Sequence, residues 1–266
     1  MRNFKRRRVS LLLLLLGAFL APAASGADKR EIIRQARKAY YNLPSQGFDG
    51  FQVAVVPDWT VTLKDELKTD IPPDHPALKI LNGIHFWLAW DQNGATKLSH
   101  QVDSTPVDQK SAEGMNQTVS GVEQVLSGFS QTIAPFLFSA PFPEAESTYD
   151  LEELSDLYRI SYKEGQFDII TTMRKDFAVV EMKVKGQAFA ASIKPQIKSS
   201  PKGFLLSGYE GDYQPASGDA YLVSVQIDYK EVEGLQLPGE LRMEATARGS
   251  THKMDLHFTD FQVKKH

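Results

Sequence analysis

Residue types that often carry out chemistry are present in this chain, but their spacing does not assemble a recognisable site. The six histidines are His75, His85, His100, His252, His257 and His266. His252 and His257 are five residues apart on a predicted strand, so they face opposite sides of it and cannot share a metal ion. The chain contains no His-Glu-x-x-His, Gly-x-Ser-x-Gly or phosphate-cradling glycine motif. The sequence therefore predicts no catalytic residue, no metal site and no cofactor.

Two groups of acidic residues suggest catalysis or metal binding at first sight. The first group consists of Asp150, Glu152, Glu153 and Asp156. Acid–base catalysis needs two carboxylates held across a cleft, whereas a cluster in consecutive sequence is more typical of a solvated face. The second group consists of Glu210, Asp212 and Asp219, in a turn-rich stretch at 208–218. Its spacing fits no calcium-binding loop, so we expect an ordinary polar hairpin loop there.

The N-terminal 27 residues have the order of a secretory signal peptide. Basic residues at 5–8 precede a leucine run at 11–16 and a segment of small residues that ends at Ala27. We expect cleavage after Ala23 or Ala27, a mature chain of one domain over 28–266, and a periplasmic location. The chain has no cysteine, which excludes a thiol nucleophile and a lipidated N-terminal cysteine.

The charge of the mature chain bears on its partners. The formal net charge of −3 becomes −8 when the five basic residues of the signal peptide leave. An acidic surface repels phosphates, so nucleic acid is not an expected partner. We expect a monomer.

Helical periodicity appears in two places. A helix is predicted over 28–43, ended by Pro44. From 111 to 138 the apolar residues follow steps of four and three, and Gly114, Gly121 and Gly128 fall beside that stripe. Because glycine costs about 1 kcal/mol in a helix interior, this helix is predicted to be bent or broken in two.

Most of the remaining sequence alternates between apolar and polar residues, as strands do. Strands are predicted around 51–55, 61–63, 84–90 and 96–102, and seven more follow from Leu157 to the C-terminus. Ten to twelve strands exceed what a flat open sheet usually carries. The predicted fold is mainly β with helices: a curled antiparallel sheet, or incomplete β-barrel, covered by helices.

A concave sheet under an apolar helix predicts a cavity with a lid. The predicted ligand-binding residues of this cavity and lid are Phe86, Leu88, Trp90, Met115, Val119, Val122, Leu126, Phe129, Ile133 and Phe136. The glycines beside the stripe would let the lid bend away to admit a ligand. The alternative is that these residues are ordinary core.

Two local patterns resemble the LolA-like superfamily of exported carriers. Ile193 and Pro195 precede a glycine and an apolar strand at 203–206, and the closing segment 234–263 has the glycines and apolar residues of that family's last hairpin. The resemblance implies an incomplete barrel capped by helices that binds lipid or lipoprotein acyl chains and exchanges them with envelope membrane complexes. It assigns no catalytic residue.

Three functions are therefore set against each other. The first is a periplasmic carrier or chaperone for acyl chains of lipoproteins or other lipids, which would deliver them to the outer membrane. The second is an exported hydrolase whose site is assembled from residues scattered in sequence. The third is a structural envelope protein whose helices dock on a partner.

Overall fold

The computed structural model of the chain describes residues 26–103 and 108–265. The predicted signal peptide lies outside these residues, apart from Gly26 and Ala27, which begin the first helix. Among the described residues, no helix is both long enough and apolar enough to cross a membrane.

Four α-helices and twelve strands make up the described chain. The helices are α1 (Gly26–Lys38), α2 (Trp59–Leu67), α3 (Pro76–Leu81) and α4 (Gln109–Ala134). The strands are β1 (Phe48–Pro57), β2 (Ile84–Asp91), β3 (Thr96–Val102), β4 (Tyr149–Glu153), β5 (Leu157–Glu164), β6 (Phe167–Arg174), β7 (Val179–Lys185), β8 (Phe189–Ser200), β9 (Gly203–Pro215), β10 (Tyr221–Val232), β11 (Leu235–Ala247) and β12 (Ser250–Lys265). A 3₁₀ turn at Pro44–Gln46 precedes β1, and a π-helical turn at Pro135–Ser139 follows α4.

All twelve described strands belong to one antiparallel sheet. Its order is β3-β2-β1-β12-β11-β10-β9-β8-β7-β6-β5-β4, so β1 pairs with β12, and strands consecutive in sequence pair with each other except β3 and β4. The sheet curls without closing, because β3 and β4 remain at opposite edges. The predicted fold class, a curled antiparallel sheet covered by helices, is confirmed.

The predicted strand at 61–63 is wrong, because this segment belongs to α2. The Asp58 carboxylate accepts hydrogen bonds from the backbone N–H groups of Thr60 (3.0 Å) and Val61 (3.3 Å), which is the contact that starts a helix. Helix α2 then packs on β12, where the Lys253 N–H donates to the Asp65 carboxylate at 3.2 Å. A two-residue apolar alternation is too short to outweigh that cap.

The polar loop predicted at 208–218 is mostly strand. Strand β9 continues to Pro215 and pairs with β8 and β10 on its two sides. Glu210 and Asp212 are exposed on one face of it, while Tyr209 and Tyr213 lie on the other. The glycines at 208 and 211 make the composition of this segment resemble that of a turn. Its backbone pairing with β8 and β10 nevertheless keeps it extended.

Helix α1 ends at Lys38, five residues before its predicted end. The next residues form backbone hydrogen bonds with β9: the Phe204 N–H donates to the Ala39 carbonyl at 2.7 Å, and the Tyr41 N–H donates to the Phe204 carbonyl at 2.9 Å. Gly203 makes this close approach possible, because its φ is +117° and a Cβ there would lie 2.8 Å from the Tyr41 nitrogen. Tertiary pairing therefore terminates the helix before Pro44 does.

Helix α4 is one continuous helix of 26 residues, so the predicted break in it is wrong. Nothing lies within 4 Å of a Cβ built on Gly114, Gly121 or Gly128. The glycines therefore occupy a face that packs against nothing, while Val122, Leu126 and Ile133 on the apolar stripe are completely buried. Burial of about 1.5–3 kcal/mol per large apolar side chain outweighs the cost of three glycines.

The apolar stripe of α4 packs on the part of the sheet formed by β1, β2 and β12. The Phe129 ring lies 6.3 Å from the Trp90 ring on β2 and 6.1 Å from the Phe258 ring on β12. Trp90 also contacts Phe51 on β1 at 5.1 Å. The aromatic contacts of α4 are therefore concentrated on β1, β2 and β12. The remaining part of the sheet is left for α1 and for the connection from α4 to β4.

We predict opposite effects for alanine at two glycines. Gly114→Ala should stabilise the protein by about 0.5–1 kcal/mol, since the new methyl group meets no atom and removes helix-disfavouring flexibility. Gly203→Ala should destabilise it by more than about 1 kcal/mol, since its left-handed φ and the 2.8 Å approach of Tyr41 both oppose a Cβ. Urea unfolding measures the change in unfolding free energy for each variant. Changes of the same sign in both variants would contradict the packing described for α1 and α4.

A second prediction concerns Tyr40, which holds the chain after α1 to the strand β7. Its hydroxyl accepts a hydrogen bond from the Val179 N–H at 2.8 Å and donates to the Phe177 carbonyl at 3.2 Å. Tyr40→Phe leaves both backbone groups without this partner, so we expect a loss of about 1–3 kcal/mol of unfolding free energy. Tyr221→Phe, at a ring that is 39% exposed, serves as the control and should change it by less than about 0.5 kcal/mol.

Candidate functional site: a cavity between the sheet and helix α4

A cavity of about 960 Å³ lies on the inner side of the curled sheet. Its walls are the C-terminal half of α4, the connection at 139–147, which we call the strap, and one face of β5 to β11. This volume is near the upper end of the roughly 300–1,000 Å³ found for small-molecule sites. The cavity is therefore large enough for an elongated organic ligand.

The sheet wall of the cavity is mostly apolar. Its aliphatic, methionine and phenylalanine members are Phe167, Ile169, Met182, Val184, Phe189, Ala191, Ile193, Val223, Val225, Leu241, Met243 and Ala245. These side chains alternate along their strands with mostly polar residues on the outer face, as the two-residue period of a strand requires. Met182 and Met243 add flexible thioether side chains that can adapt to different ligand shapes.

Two aromatic rings of this wall lie flat on the sheet because glycines lie beneath them. A Cβ on Gly186 would stand 2.7 Å from the Phe167 ring, and one on Gly211 would stand 2.4 Å from the Tyr213 ring. Because a glycine has only a hydrogen atom in place of a side chain, each ring can contact the backbone beneath it. The rings therefore form part of the wall instead of filling the cavity.

The helix wall differs from the sheet wall in its chemistry. Gly121 and Gly128 line the cavity together with Gln124, Gln131 and Thr132. These positions recur at three, four and seven residues, so they share one face of α4 beside the apolar stripe. Since nothing lies within 4 Å of a Cβ at either glycine, the helix backbone itself is open to a ligand there.

Tyrosines from β9 and β10 stand where the sheet wall meets the helix wall. The Tyr213 and Tyr221 rings are stacked, with centroids 5.1 Å apart and planes 7° from parallel. Thr132 on α4 lies beside the hydroxyls of both Tyr209 and Tyr213. Burial raises the pKa of Tyr209 and of Tyr213 above the usual value for tyrosine, so both phenols are uncharged at neutral pH.

The strap that closes one side of the cavity is held by α1. Arg37 donates to the carbonyls of Phe142 (2.7 Å) and Pro143 (3.3 Å) and pairs with Glu144 at 2.5 Å. Ala140, the first residue of the strap after the π-helical turn, has φ +118° and ψ 147°, a region that only glycine adopts without strain. The strap is thus a strained connection held by α1, where Arg34 also pairs with Glu146 at 2.6 Å.

One end of the cavity is filled by protein and the other is open. The residues that follow α1 and α4, among them Tyr41, Leu43 and Leu137, are buried at the end where β10 and β11 are joined. The Gln236 N–H there donates to the Tyr41 hydroxyl at 2.9 Å. The lining residues lie in the opposite halves of the strands, near the turns at 165 and 216–220, so a ligand would enter from that end.

The structure places the ten residues predicted to bind ligand in two different settings. Phe129 and Phe136 line the cavity. The other eight do not line it and pack in or against the core: Phe86, Leu88, Trp90, Met115, Val119, Val122, Leu126 and Ile133. Val122, Leu126 and Ile133 have no exposed surface, as residues of the core do, and movement of α4 as a lid stays a prediction.

The residues that could do chemistry are dispersed among the described part of the chain. His85 pairs with Asp103 and His100 with Glu123, each at 2.9 Å and each exposed to solvent. Three of the acidic cluster's carboxylates lie on β4, an edge strand, where Glu152 pairs with Arg159 and Glu153 with Lys175. No group of three or more possible metal-binding side chains occurs in residues 26–103 and 108–265.

Sequence reasoning missed the polar wall of α4 and the tyrosines of β9. A heptad repeat signals the first, because Gly114, Gly121 and Gly128 are each followed by a glutamine three residues later. The alternation of Tyr209, Gly211 and Tyr213 with polar residues signals the second. The strap has no sequence signal beyond its prolines.

Comparison with known proteins adds little. No protein-family model matches the chain, and no curated protein matches it. Among solved structures, the crystal structure of MucB in complex with MucA(peri) has 8% sequence identity to the chain and a TM-score of 0.17, over 91% of this chain and 99% of that one. A TM-score of that size supports no conclusion about fold or function.

Proposed function

We propose that the chain is an exported carrier that holds the apolar part of a lipid in the cavity between the sheet and α4. The observation that carries the proposal is the apolar wall of β6, β7, β8, β10 and β11 facing a volume of about 960 Å³. Each methylene group transferred from water to such a wall contributes about 0.8 kcal/mol before the costs of association. An acyl chain can therefore be retained without a directional bond.

The location and cargo belong to the same proposal. The N-terminal sequence has the order of a signal peptide, so the proposed compartment is the periplasm. The open curled sheet with a helix across it agrees with the LolA-like carriers that the sequence resembles. We propose lipids or the acyl chains of lipoproteins as cargo, with envelope membrane complexes as the donors and acceptors.

The cavity is tested by a charge placed on neighbouring residues of β10 that face opposite ways. Val223 lines the cavity and is half-buried, whereas Leu222 faces outward and is 56% exposed. Val223→Glu should weaken binding of a fluorescent fatty-acid probe at least tenfold, because it puts a carboxylate on the apolar wall. Leu222→Glu should leave the affinity within twofold, and thermal unfolding of both variants checks the fold.

Mass spectrometry of the protein purified from the cell envelope identifies the natural ligand. Co-purifying lipid that disappears with Val223→Glu supports a lipid carrier, and co-purifying lipoprotein supports the narrower cargo. Equal probe affinities for the two glutamate variants, with both folded, would contradict the proposed site.

We further propose that the protein has no hydrolase activity of its own. The phenols in the cavity are kept neutral by burial, which raises the pKa of Tyr162 to about 12, and they lie beside no activated nucleophile among the described lining residues. A panel of ester, glycoside and peptide substrates should give no turnover above background. Turnover that is lost with His85→Ala or His100→Ala would favour the enzyme instead.

A further inference from the structure

The charged groups of the cavity are already paired, which bears on the headgroup of its ligand. Arg37 and Lys163 are the cations among the described lining residues. Arg37 pairs with Glu144 at 2.5 Å, and Lys163 pairs with Asp168 at 2.9 Å. An anionic group entering the cavity would therefore have to displace a carboxylate from one of these cations or lose its hydration without a partner, which is costly.

The polar groups where the helix wall meets the sheet wall are uncharged. The Thr132 hydroxyl donates its proton to the Gly128 carbonyl at 2.9 Å. The Tyr209 and Tyr213 phenols line the cavity beside Thr132, and burial raises the pKa of both, which keeps them uncharged. A phenol can both donate and accept a hydrogen bond, so these two residues offer a ligand both kinds of partner.

The glutamines on the same wall add further uncharged groups that form hydrogen bonds. The Gln131 amide nitrogen donates to the Ser127 hydroxyl at 3.2 Å, and the Gln124 amide nitrogen donates to the Ser120 hydroxyl at 3.4 Å. These bonds leave each amide its oxygen as an acceptor and its second N–H as a donor. The two glutamines are seven residues apart, which is about 10 Å along the helix axis.

We infer that, within the proposed carrier function, the cavity selects an uncharged, elongated amphiphile that bears hydroxyl or amide groups. Its apolar side lies on the strands, and its polar edge runs along α4 past Gln124 and Gln131. Gly121 and Gly128 determine this placement, because any side chain there would occupy the space between the ligand and the helix backbone.

Three lipids with the same twelve-carbon chain test the headgroup. 1-Monolauroylglycerol is neutral and carries hydroxyl donors, methyl laurate is neutral without donors, and laurate is anionic. Displacement of a fluorescent apolar probe at pH 8 gives the relative affinities. We expect monolauroylglycerol to bind at least fivefold more tightly than either of the others.

Two sets of variants test the residues. Replacing Tyr209 and Tyr213 together by phenylalanine should reduce the preference for monolauroylglycerol over methyl laurate to less than twofold, with methyl laurate affinity unchanged. Gly128→Leu should weaken both ligands at least tenfold. Gly114→Leu is the matched control, because it has the same heptad position and the same free space but lies outside the cavity.

The outcomes separate this inference from the proposed function. Equal affinities for the three lipids, or the tightest binding for laurate, would overturn the inference while leaving a lipid-binding cavity in place. Equal effects of Gly114→Leu and Gly128→Leu, with both variants folded, would overturn the placement along α4. Failure of all three lipids to displace the probe would overturn the inference and the proposed function together.

Discussion

The structure depends on a mismatch in width between one helix and a very broad sheet. Twelve strands spaced by about 4.8 Å present an inner surface several times wider than a helix, which is about 10–12 Å across with its side chains. Helix α4 can therefore cover only part of that surface. It packs on β1, β2 and β12, and a space remains between it and much of the inner face of β6 to β11. The cavity is the space beside α4 over the part of the inner surface that the helix does not cover.

This mismatch also explains the two chemistries of α4. The stripe that faces β1, β2 and β12 is apolar and fully buried, as at Leu126 and Ile133. The adjacent face meets an open space, so it tolerates glycines that contact nothing and glutamines that remain solvated. A helix that filled the sheet would need bulky side chains on both faces. The glycines that appear to weaken α4 are thus consistent with the space beside it.

Much of the fold could be predicted from the sequence, because alternation along the strands and the helical stripe are local patterns. The sequence directly identifies the alternating residues of β2, β10 and β11 and the apolar stripe from Val119 to Ile133. The site could not be predicted in the same way. Apolar periodicity identifies residues that avoid water, and it does not distinguish Ile133, which is in the core, from Val223, which lines the cavity. That difference depends on which strands α4 covers, and this is set by tertiary packing.

The most direct measurement of the central claim is photo-crosslinking with a lipid that carries a diazirine on its acyl chain, followed by peptide mapping. The account predicts adducts on the inner faces of β10 and β11, at residues such as Val223 and Met243, and on the face of α4 around Gly128. Unlabelled lipid should suppress them. Adducts confined to outward-facing residues such as Leu222, or to the exposed residues of α2 and α3, would contradict the cavity as the binding site.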